Sequence, residues 1–330
     1  MYEQVQLVVA SQTKASQIKS KLGEKPVKSF ECVGCISPYF VGKYGFSKAC
    51  NVTVFSGDNC CSLVGLGVFE CGDVCVSLGT SDTVFALTAT PKPSYQEGFF
   101  LCSPIHPPKD NTFMAMSVFK NGSVVREHYK NICCHETGSW AEFNQLLTKT
   151  KPGNEGHLGF YFVDAEITPT CKPGIYQYHV DLRTNESKEH KAGKSAEDEY
   201  ALIRSVVESQ FMSFKSHLNF IGLKQCKRIF ATGGGSSNKT LLQILADIFG
   251  ADVYVVVSGP DSAAKGAALR AMHAYVCEKE KKFLPVQEVC NKFNQEKSYV
   301  KIASPNLEVL GVYEKLLPIR TQLEAKLPGL

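Results

Sequence analysis

The chain has 330 residues, which is enough for two domains of ordinary size. Its hydrophobic content of 44% and charged content of 21% are typical of a globular protein and exclude disorder as the dominant state. The net charge of +4 is spread along the chain and gives no nucleic-acid footprint. No apolar run approaches the roughly 18 residues of a membrane span, and the first residues carry no secretory signal. The sequence therefore predicts a cytosolic protein that binds neither nucleic acid nor membrane.

Cysteine is unusually frequent, with 14 residues in the chain. Cys32 and Cys35 have the CxxC spacing of metal ligands, but no second pair with similar local spacing completes a zinc site. The chain is also too long for a small disulfide scaffold. Free thiols are therefore favoured over structural zinc.

The first half of the chain predicts strands followed by helices. Residues 74–87 predict a strand–turn–strand hairpin with a glycine at its bend, and residues 113–119 predict a third strand. A helix is expected from about Ser123. A second helix is expected around Trp140, with Phe143 on the same face.

The second half alternates helices with strands. Ser195 followed by Asp198 indicates the start of a long helix, whose apolar residues recur at steps of three and four. A strand over residues 228–231 runs into a glycine-rich loop over residues 232–237. The helix after that loop is closed by Gly250.

A last strong helix is expected from Asp261, after a strand over residues 253–257. Its alanines share one face, which would let the helix lie close to a sheet. They are Ala263, Ala264, Ala267, Ala268 and Ala271. The alternation of strands and helices predicts the α/β class.

Two glycine-containing turns could bind a phosphorylated ligand. The turn over residues 77–82 could aim several backbone N–H groups at one phosphate, a ligand that needs many donors and no competing carboxylate, although an ordinary hairpin turn is the simpler interpretation. At Gly234 and Gly235 the missing Cβ atoms would let a ligand approach the backbone at a helix N-terminus. A sharp strand-to-helix turn explains these glycines equally well. Asn238 is the natural N-cap of that helix, and its amide could instead face a ligand.

Two other positions are candidates for a role in catalysis or binding. Asp58, beside Asn59 in a loop after a short strand, could accept a hydroxyl proton during phosphoryl transfer, although such an Asp usually caps a helix. Trp140, the single tryptophan, could stack on an adenine, although a core position is the simpler interpretation. The eight histidines are dispersed in the sequence and suggest no metal or catalytic pairing.

Together and in this order, the motifs resemble the FGGY family of carbohydrate kinases, within the actin-like ATPase fold, and most closely its xylulose kinases of the eukaryotic type. The segments that carry the resemblance are residues 56–59, 76–82, 119–123, 158–162, 166–169 and 231–249. The resemblance extends from about residue 30 to about residue 325. Asn59 directly after Asp58 favours xylulose kinases over glycerol kinases, in which Gln usually follows the Asp.

The resemblance implies a ribonuclease H-like α/β fold in which two domains clamp a sugar and ATP. It implies phosphorylation of the terminal hydroxyl of D-xylulose, or of a related pentulose, with Mg²⁺ arriving with ATP and bridging its phosphates. Asp58 would then be the general base, and Asn59 would lie beside it on the sugar. The residues implied at ATP are Gly79 and Thr80 at the phosphates and Trp140, Gly234, Gly235 and Asn238 around the adenosine.

The resemblance also implies a division of the chain. Residues 1–70 would be the end of the family's first domain, residues 71–300 its nucleotide-binding second domain, and residues 301–330 a helical tail. In the family, the first domain carries most of the contacts to the sugar. Because residues 1–70 would correspond only to the end of that domain, the resemblance does not define which sugar is bound. We expect the isolated chain to bind nucleotide weakly, to have little kinase activity, and to self-associate through apolar surface that a partner domain would cover. The alternatives are a non-catalytic nucleotide- or partner-binding module and a kinase for another polyol.

Overall fold

The computed structural model describes residues 17, 20–21, 27–28, 30–54, 56–92, 98–101, 105, 111–191, 193, 195–223, 225–256, 261–292 and 299–329. The strands are β1 Cys32–Cys35, β2 Asn51–Thr53, β3 Asp73–Leu78, β4 Asp82–Thr88, β5 Gly98–Leu101, β6 Phe113–Phe119, β7 His157–Phe162, β8 Gly174–Val180, β9 Ser187–Glu189, β10 Arg228–Thr232, β11 Asp252–Val256 and β12 Tyr299–Ala303. The α-helices are α1 Pro38–Tyr44, α2 Asp58–Gly65, α3 Ser123–Cys133, α4 Trp140–Leu147, α5 Ala196–Phe220, α6 Lys239–Phe249, α7 Ser262–Glu280, α8 Val286–Lys292 and α9 Leu307–Glu324. The predicted α/β class is confirmed.

A seven-stranded sheet lies at the centre, in the order β12–β11–β10–β3–β4–β6–β5. β3, β4 and β6 are antiparallel neighbours, whereas β10 pairs in parallel with both β3 and β11. Thr232 at the end of β10 lies opposite Ser77 near the end of β3. Because parallel strands end at the same edge of a sheet, the loops after β3 and β10 emerge side by side.

Helices cover both faces of this sheet. Val74 and Val76 of β3 point into one apolar core, which they share with residues of α5, α6 and α9. Cys75, between them, points into the opposite core with residues of α2, α7 and α8. This alternation is the period of two that a strand imposes, and it makes β3 buried on both faces.

The close contact between α2 and α7 depends on two glycines. A Cβ atom at Gly65 would lie 1.9 Å from the backbone O of Ser262, and one at Gly266 would lie 1.7 Å from the backbone O of Cys61. Neither position has room for a side chain. The hydroxyl of Ser262 also donates to that of Ser62, at 3.2 Å. α2 is therefore held against α7 backbone to backbone.

Two local predictions are wrong. The loop expected up to Asn59 ends earlier, because α2 begins at Asp58, whose carboxylate lies in the first helical turn, and stops at Gly65. In α7, Ala264, Ala268 and Ala271 are exposed, so the close approach comes from Gly266 and not from the alanines. Apart from Gly266 and Ala274, the buried residues of α7 have longer side chains, among them Leu269, Arg270 and His273.

Other local predictions are confirmed. Ser195 and Asp198 form a full capping box, and Gly250 closes α6 with a left-handed backbone at φ +69°. At the C-terminal end of the chain, α9 buries Tyr313 and Leu316 in the core shared with α5 and α6. Within the described residues, no helix has the length and apolar character to cross a membrane.

We expect Gly266→Ala to destabilise the protein by about 1–3 kcal/mol, because the new methyl group must push α7 away from α2. Urea unfolding measures the loss. Gly311→Ala is the matched control, since Gly311 lies within α9 and a Cβ there would meet no described atom within 4 Å. This control should be neutral or stabilise by about 0.5–1 kcal/mol. Equal effects of the two changes would contradict the tight crossing.

Candidate functional site

A cleft of about 900 Å³ opens where β3 and β10 end and where α2 and α7 begin. The lining includes the loop after β10 and the first turn of each helix. The lining residues are Asp58, Asn59, Ser62, Leu66, Ser77, Ala231, Thr232, Gly233, Gly234, Ser236, Val255, Val256, Asp261, Ser262, Ala263 and Ala264. Three of the predicted site residues, Asp58, Asn59 and Gly234, thus meet in one cleft.

Asp58 is exposed at the N-terminal end of α2. Its Oδ1 accepts a hydrogen bond from the backbone N–H of Asn59 at 2.8 Å and lies 3.4 Å from the Asn59 side-chain amide. No lysine or arginine is among the described residues that line this cleft. The carboxylate keeps acceptor positions free toward the cleft, as a base that removes a hydroxyl proton requires.

The bend over residues 79–81, between β3 and β4, presents backbone donors to the outside. The carbonyls of Gly79 and Thr80 accept bonds from the first N–H groups of α3, at 2.9 Å from Ser123 and 3.5 Å from Val124. The N–H groups of Thr80 and Ser81 form no hydrogen bond with any described residue. Two adjacent free N–H groups on an exposed bend are suited to an anion.

The N–H of Gly79 does not share this arrangement. It donates to Oδ1 of Asp82 at 3.1 Å, inside the bend. Asp82, the last residue of the turn, therefore takes up one of the backbone donors that a phosphate could use. Asp82 is fully buried, and Arg126 donates to both of its oxygens, at 2.7 and 3.0 Å. The guanidinium neutralises the carboxylate, so the free N–H groups of Thr80 and Ser81 remain usable by an anion.

The three glycines of the loop after β10 differ in what they permit. A Cβ at Gly233, where φ is +79°, would lie 2.5 Å from the carbonyl O of Leu78. A Cβ at Gly235 would lie 2.8 Å from Cβ of Leu78. These two glycines are required by packing on the end of β3. At Gly234 no described atom lies within 4 Å of the Cβ position, so its surface is open to a ligand.

Asn238 has the capping role that its position predicts. Its side-chain oxygen accepts bonds from the N–H groups of Thr240 and Leu241, at 3.1 and 3.2 Å. Its amide nitrogen donates to the side-chain oxygen of Asn144 at 2.8 Å. The side chain thus ties the start of α6 to α4, and it does not line the cleft.

Trp140 lies at the start of α4 with 40% of its surface exposed, so it is not a core residue. The ammonium group of Lys130 lies 5.5 Å from its ring centre, and Phe143 packs against it edge to face.

The loop before α4 is fixed by Glu142. Hydrogen bonds from the backbone N–H groups of Glu136, and of the two residues after it, lower the pKa of Glu142 to about 2.

The predicted residues thus fall into two groups. Gly79, Thr80, Trp140, Gly235 and Asn238 do not belong to the lining of the cleft, which Asp58, Asn59 and Gly234 share. Gly79 and Thr80 lie in the bend directly after β3, which neighbours β10 and its glycine loop. Sequence reasoning missed three residues around that bend: Ser81, Asp82 in its buried ion pair, and Arg126. The motif itself contained Ser81 and Asp82, but nothing in the sequence identified Arg126 as the partner.

Within the part of the chain that the structure describes, no group of three or more His, Cys, Asp or Glu side chains is placed to hold a metal ion. The described cysteines are free thiols.

Three histidines that are distant in sequence lie close together in the structure, although the sequence suggested no metal-binding or catalytic pairing of histidines. β7, β8 and β9 form a separate three-stranded antiparallel sheet, the β7–β9 sheet. The ring centres of His157, His179 and His190 lie 5.0 to 6.4 Å apart on this sheet, outside the cleft.

Comparison with curated proteins gives matches over nearly the whole chain. It is 38% identical over 326 residues to xylulose kinase 2 of Arabidopsis thaliana, which covers 96% of this chain and 57% of that protein. It is 39% identical over 315 residues to xylulose kinase of Rattus norvegicus, which covers 95% of this chain and 54% of that protein. The chain spans a little over half the length of these relatives.

Solved structures share the fold. A ligand-bound xylulose kinase from Lactobacillus acidophilus superposes with a TM-score of 0.72 at 17% identity, covering 96% of this chain and 60% of that one. A gluconate kinase from the same organism gives a TM-score of 0.71 at 16% identity, covering 94% of this chain and 60% of that one. The predicted actin-like ATPase fold is confirmed. The model of the FGGY family of carbohydrate kinases, C-terminal domain, matches residues 74–275. On this match and on the two relatives, the chain belongs to the FGGY family of carbohydrate kinases.

Proposed function

We propose that the chain supplies the nucleotide site and the catalytic base of an ATP-dependent pentulose kinase. The reaction transfers the γ-phosphoryl group of ATP to the terminal hydroxyl of D-xylulose, giving D-xylulose 5-phosphate and ADP. The observation that carries this proposal is the shared cleft, which Asp58 and Asn59 line together with the open backbone of Gly234. The similarity to xylulose kinases over most of the chain supports D-xylulose as the sugar.

Asp58 is assigned the proton transfer. As the sugar oxygen attacks the γ-phosphorus, the bond to the bridging oxygen of ADP breaks and the hydroxyl proton passes to the Asp58 carboxylate. The exposed carboxylate has acceptor positions free for that proton. Asn59, whose amide lies beside Asp58, is placed to orient a neighbouring sugar hydroxyl.

The phosphates of ATP are assigned to the 79–81 bend, with Gly79 and Thr80 at the contact and the free N–H groups of Thr80 and Ser81 as donors. Adenosine is assigned to the surface near Gly234 and Gly235, with Asn238 and Trp140 at its far side. Mg²⁺ would come with ATP, and when bound it would neutralise part of the charge that develops on the phosphates during the transfer.

The remaining assignments are proposals that depend on the family. We place the division between the two domains near residue 70, and we place the protein in the cytosol, in keeping with its free thiols. We also expect self-association, because α1 exposes Tyr39, Phe40 and Tyr44, with 57%, 43% and 58% of their surfaces accessible.

We expect Asp58→Asn to reduce D-xylulose-dependent ADP release by about 10²- to 10⁴-fold, the usual contribution of a general base. A coupled ADP-release assay on the 330-residue chain measures this. We expect wild-type turnover well below the typical ~10 s⁻¹, because Asp58 is exposed to water. Asp261→Asn is the control, since this second carboxylate lines the same cleft and has no assigned role. Equal losses in both variants would contradict the assignment of the base.

We expect Gly234→Leu to weaken binding of adenosine and of ATP by about tenfold, because the side chain would fill the space assigned to the nucleoside. The free energy of unfolding should change by less than about 0.5 kcal/mol, since the position is open. Calorimetric titration and urea unfolding measure the two quantities. Gly311→Leu, at an open position of α9, is the matched control and should leave binding unchanged. Unchanged binding by Gly234→Leu would place the nucleotide elsewhere.

A further inference from the structure

We propose that Asp82, Arg126 and Gln210 are positioning residues, which hold the 79–81 bend in the shape that binds nucleotide phosphates without contacting the nucleotide. This inference rests on the proposed function. It predicts that changes at these three residues alter how much more tightly ATP binds than adenosine, and leave the affinity for adenosine unchanged.

Asp82 fixes the inner side of the bend. Its Oδ1 accepts the N–H of Gly79 at 3.1 Å, and the residue itself starts β4 opposite Leu78, the last residue of β3. The carboxylate thus closes the loop from one strand to the next. With the N–H of Gly79 turned inward, only the two following N–H groups, of Thr80 and Ser81, are left to face outward.

Arg126 and Gln210 connect this carboxylate to the turn before α3. Arg126 donates from Nη1 to Oδ2 of Asp82 at 2.7 Å and to the side-chain oxygen of Gln210 at 2.8 Å. The amide of Gln210 donates in turn to the carbonyls of Asn121 and Gly122, at 2.7 and 3.0 Å. α5, which carries Gln210, therefore holds both α3 and the turn in place.

The turn before α3 touches the bend directly. A Cβ atom at Gly122 would lie 2.8 Å from both Oδ1 of Asp82 and the carbonyl O of Thr80. The N–H of Ser123 donates to the carbonyl of Gly79 at 2.9 Å. A shift in this turn must therefore move the bend carbonyls, and with them the peptide planes that carry the free N–H groups.

Charge gives a second reason for the arrangement. A carboxylate directly behind a phosphate site repels the phosphates unless a cation neutralises it. Arg126 is 1% exposed, lies on the inner side of Asp82, and is bound to both carboxylate oxygens, so it is not placed to reach a ligand on the outer side. Its charge is used to cancel that of Asp82.

The other end of β3 offers a matched pair without this connection. Asp73, also fully buried, receives two bonds from Arg228, at 2.9 and 2.7 Å. It begins the strand that ends at the bend, so the two ion pairs lie at opposite ends of β3. Breaking either pair should destabilise the fold, but only the pair at Asp82 should change phosphate binding.

The test is calorimetric titration of adenosine and of ATP with Mg²⁺ into the 330-residue chain and its Asp82→Asn, Gln210→Ala and Asp73→Asn variants. We expect Asp82→Asn to weaken ATP binding by about tenfold while adenosine binding changes by less than about twofold. Gln210→Ala, at a half-buried position that leaves the ion pair intact, should weaken ATP binding by about threefold. Asp73→Asn should keep the ratio of the two affinities within about twofold of wild type.

The outcomes separate the two proposals. If Asp82→Asn does not fold, Gln210→Ala decides, because it removes only the link to the turn. Wild-type preference for ATP over adenosine that persists unchanged in the Asp82 and Gln210 variants overturns the positioning role alone. An equal loss in Asp73→Asn overturns it as well, because general destabilisation would then explain the effect. A wild-type chain that binds adenosine and ATP equally overturns the assignment of the phosphates to the bend, and with it the positioning role; one that binds neither overturns the nucleotide site itself.

Discussion

The position of Asp58 depends on the contact between the backbones of α2 and α7. α2 has only eight residues and therefore cannot be stable by its own hydrogen bonds. It is fixed because Gly65 and Gly266 let it lie directly on α7, while its own side chains Leu63 and Val64 are buried in the core. The contact between the two helices therefore fixes the position of the Asp58 backbone at the first turn of α2, although the Asp58 side chain is exposed to water.

The second constraint is the parallel pairing of β3 with β10. It brings the 79–81 bend and the glycine loop to one edge of the sheet, where the carboxyl ends of parallel strands commonly form ligand sites. Leu78 links the two loops, because Gly233 and Gly235 both pack on it. Two of the three consecutive glycines therefore serve the packing of this edge, and one remains for a ligand. At this edge of the sheet, the groups left for a ligand are backbone atoms of the two loops, and buried side chains hold those loops in place.

Much of the architecture could be predicted from the sequence because its signals are local. The β3–β4 hairpin, the capping box at Ser195 and the end of α6 at Gly250 each depend on residues within a few positions. The β7–β9 sheet was not predicted as such, because β8 has a mixed pattern of half-buried and exposed residues that carries little period-two signal.

The site was less predictable for the same physical reason. Asp58 and the glycine motifs could be found from short motifs and from the family resemblance. The contact of Gly65 with α7 joins positions about 200 residues apart, and the pairing of Asp82 with Arg126 joins a strand to a helix that follows two strands later. Nothing in the local sequence identifies such partners. The alanines of α7 show the converse error, since a periodic face of small residues did not coincide with the face that packs.

The placement of Trp140 makes the protein its own optical probe. It is the single tryptophan of the chain, so its fluorescence reports from one known point at the start of α4. The indole is partly open to solvent, and a lysine ammonium lies against its face. Its emission maximum and its quenching by iodide should therefore follow changes around α4 directly, with no extrinsic label and no second tryptophan in the chain.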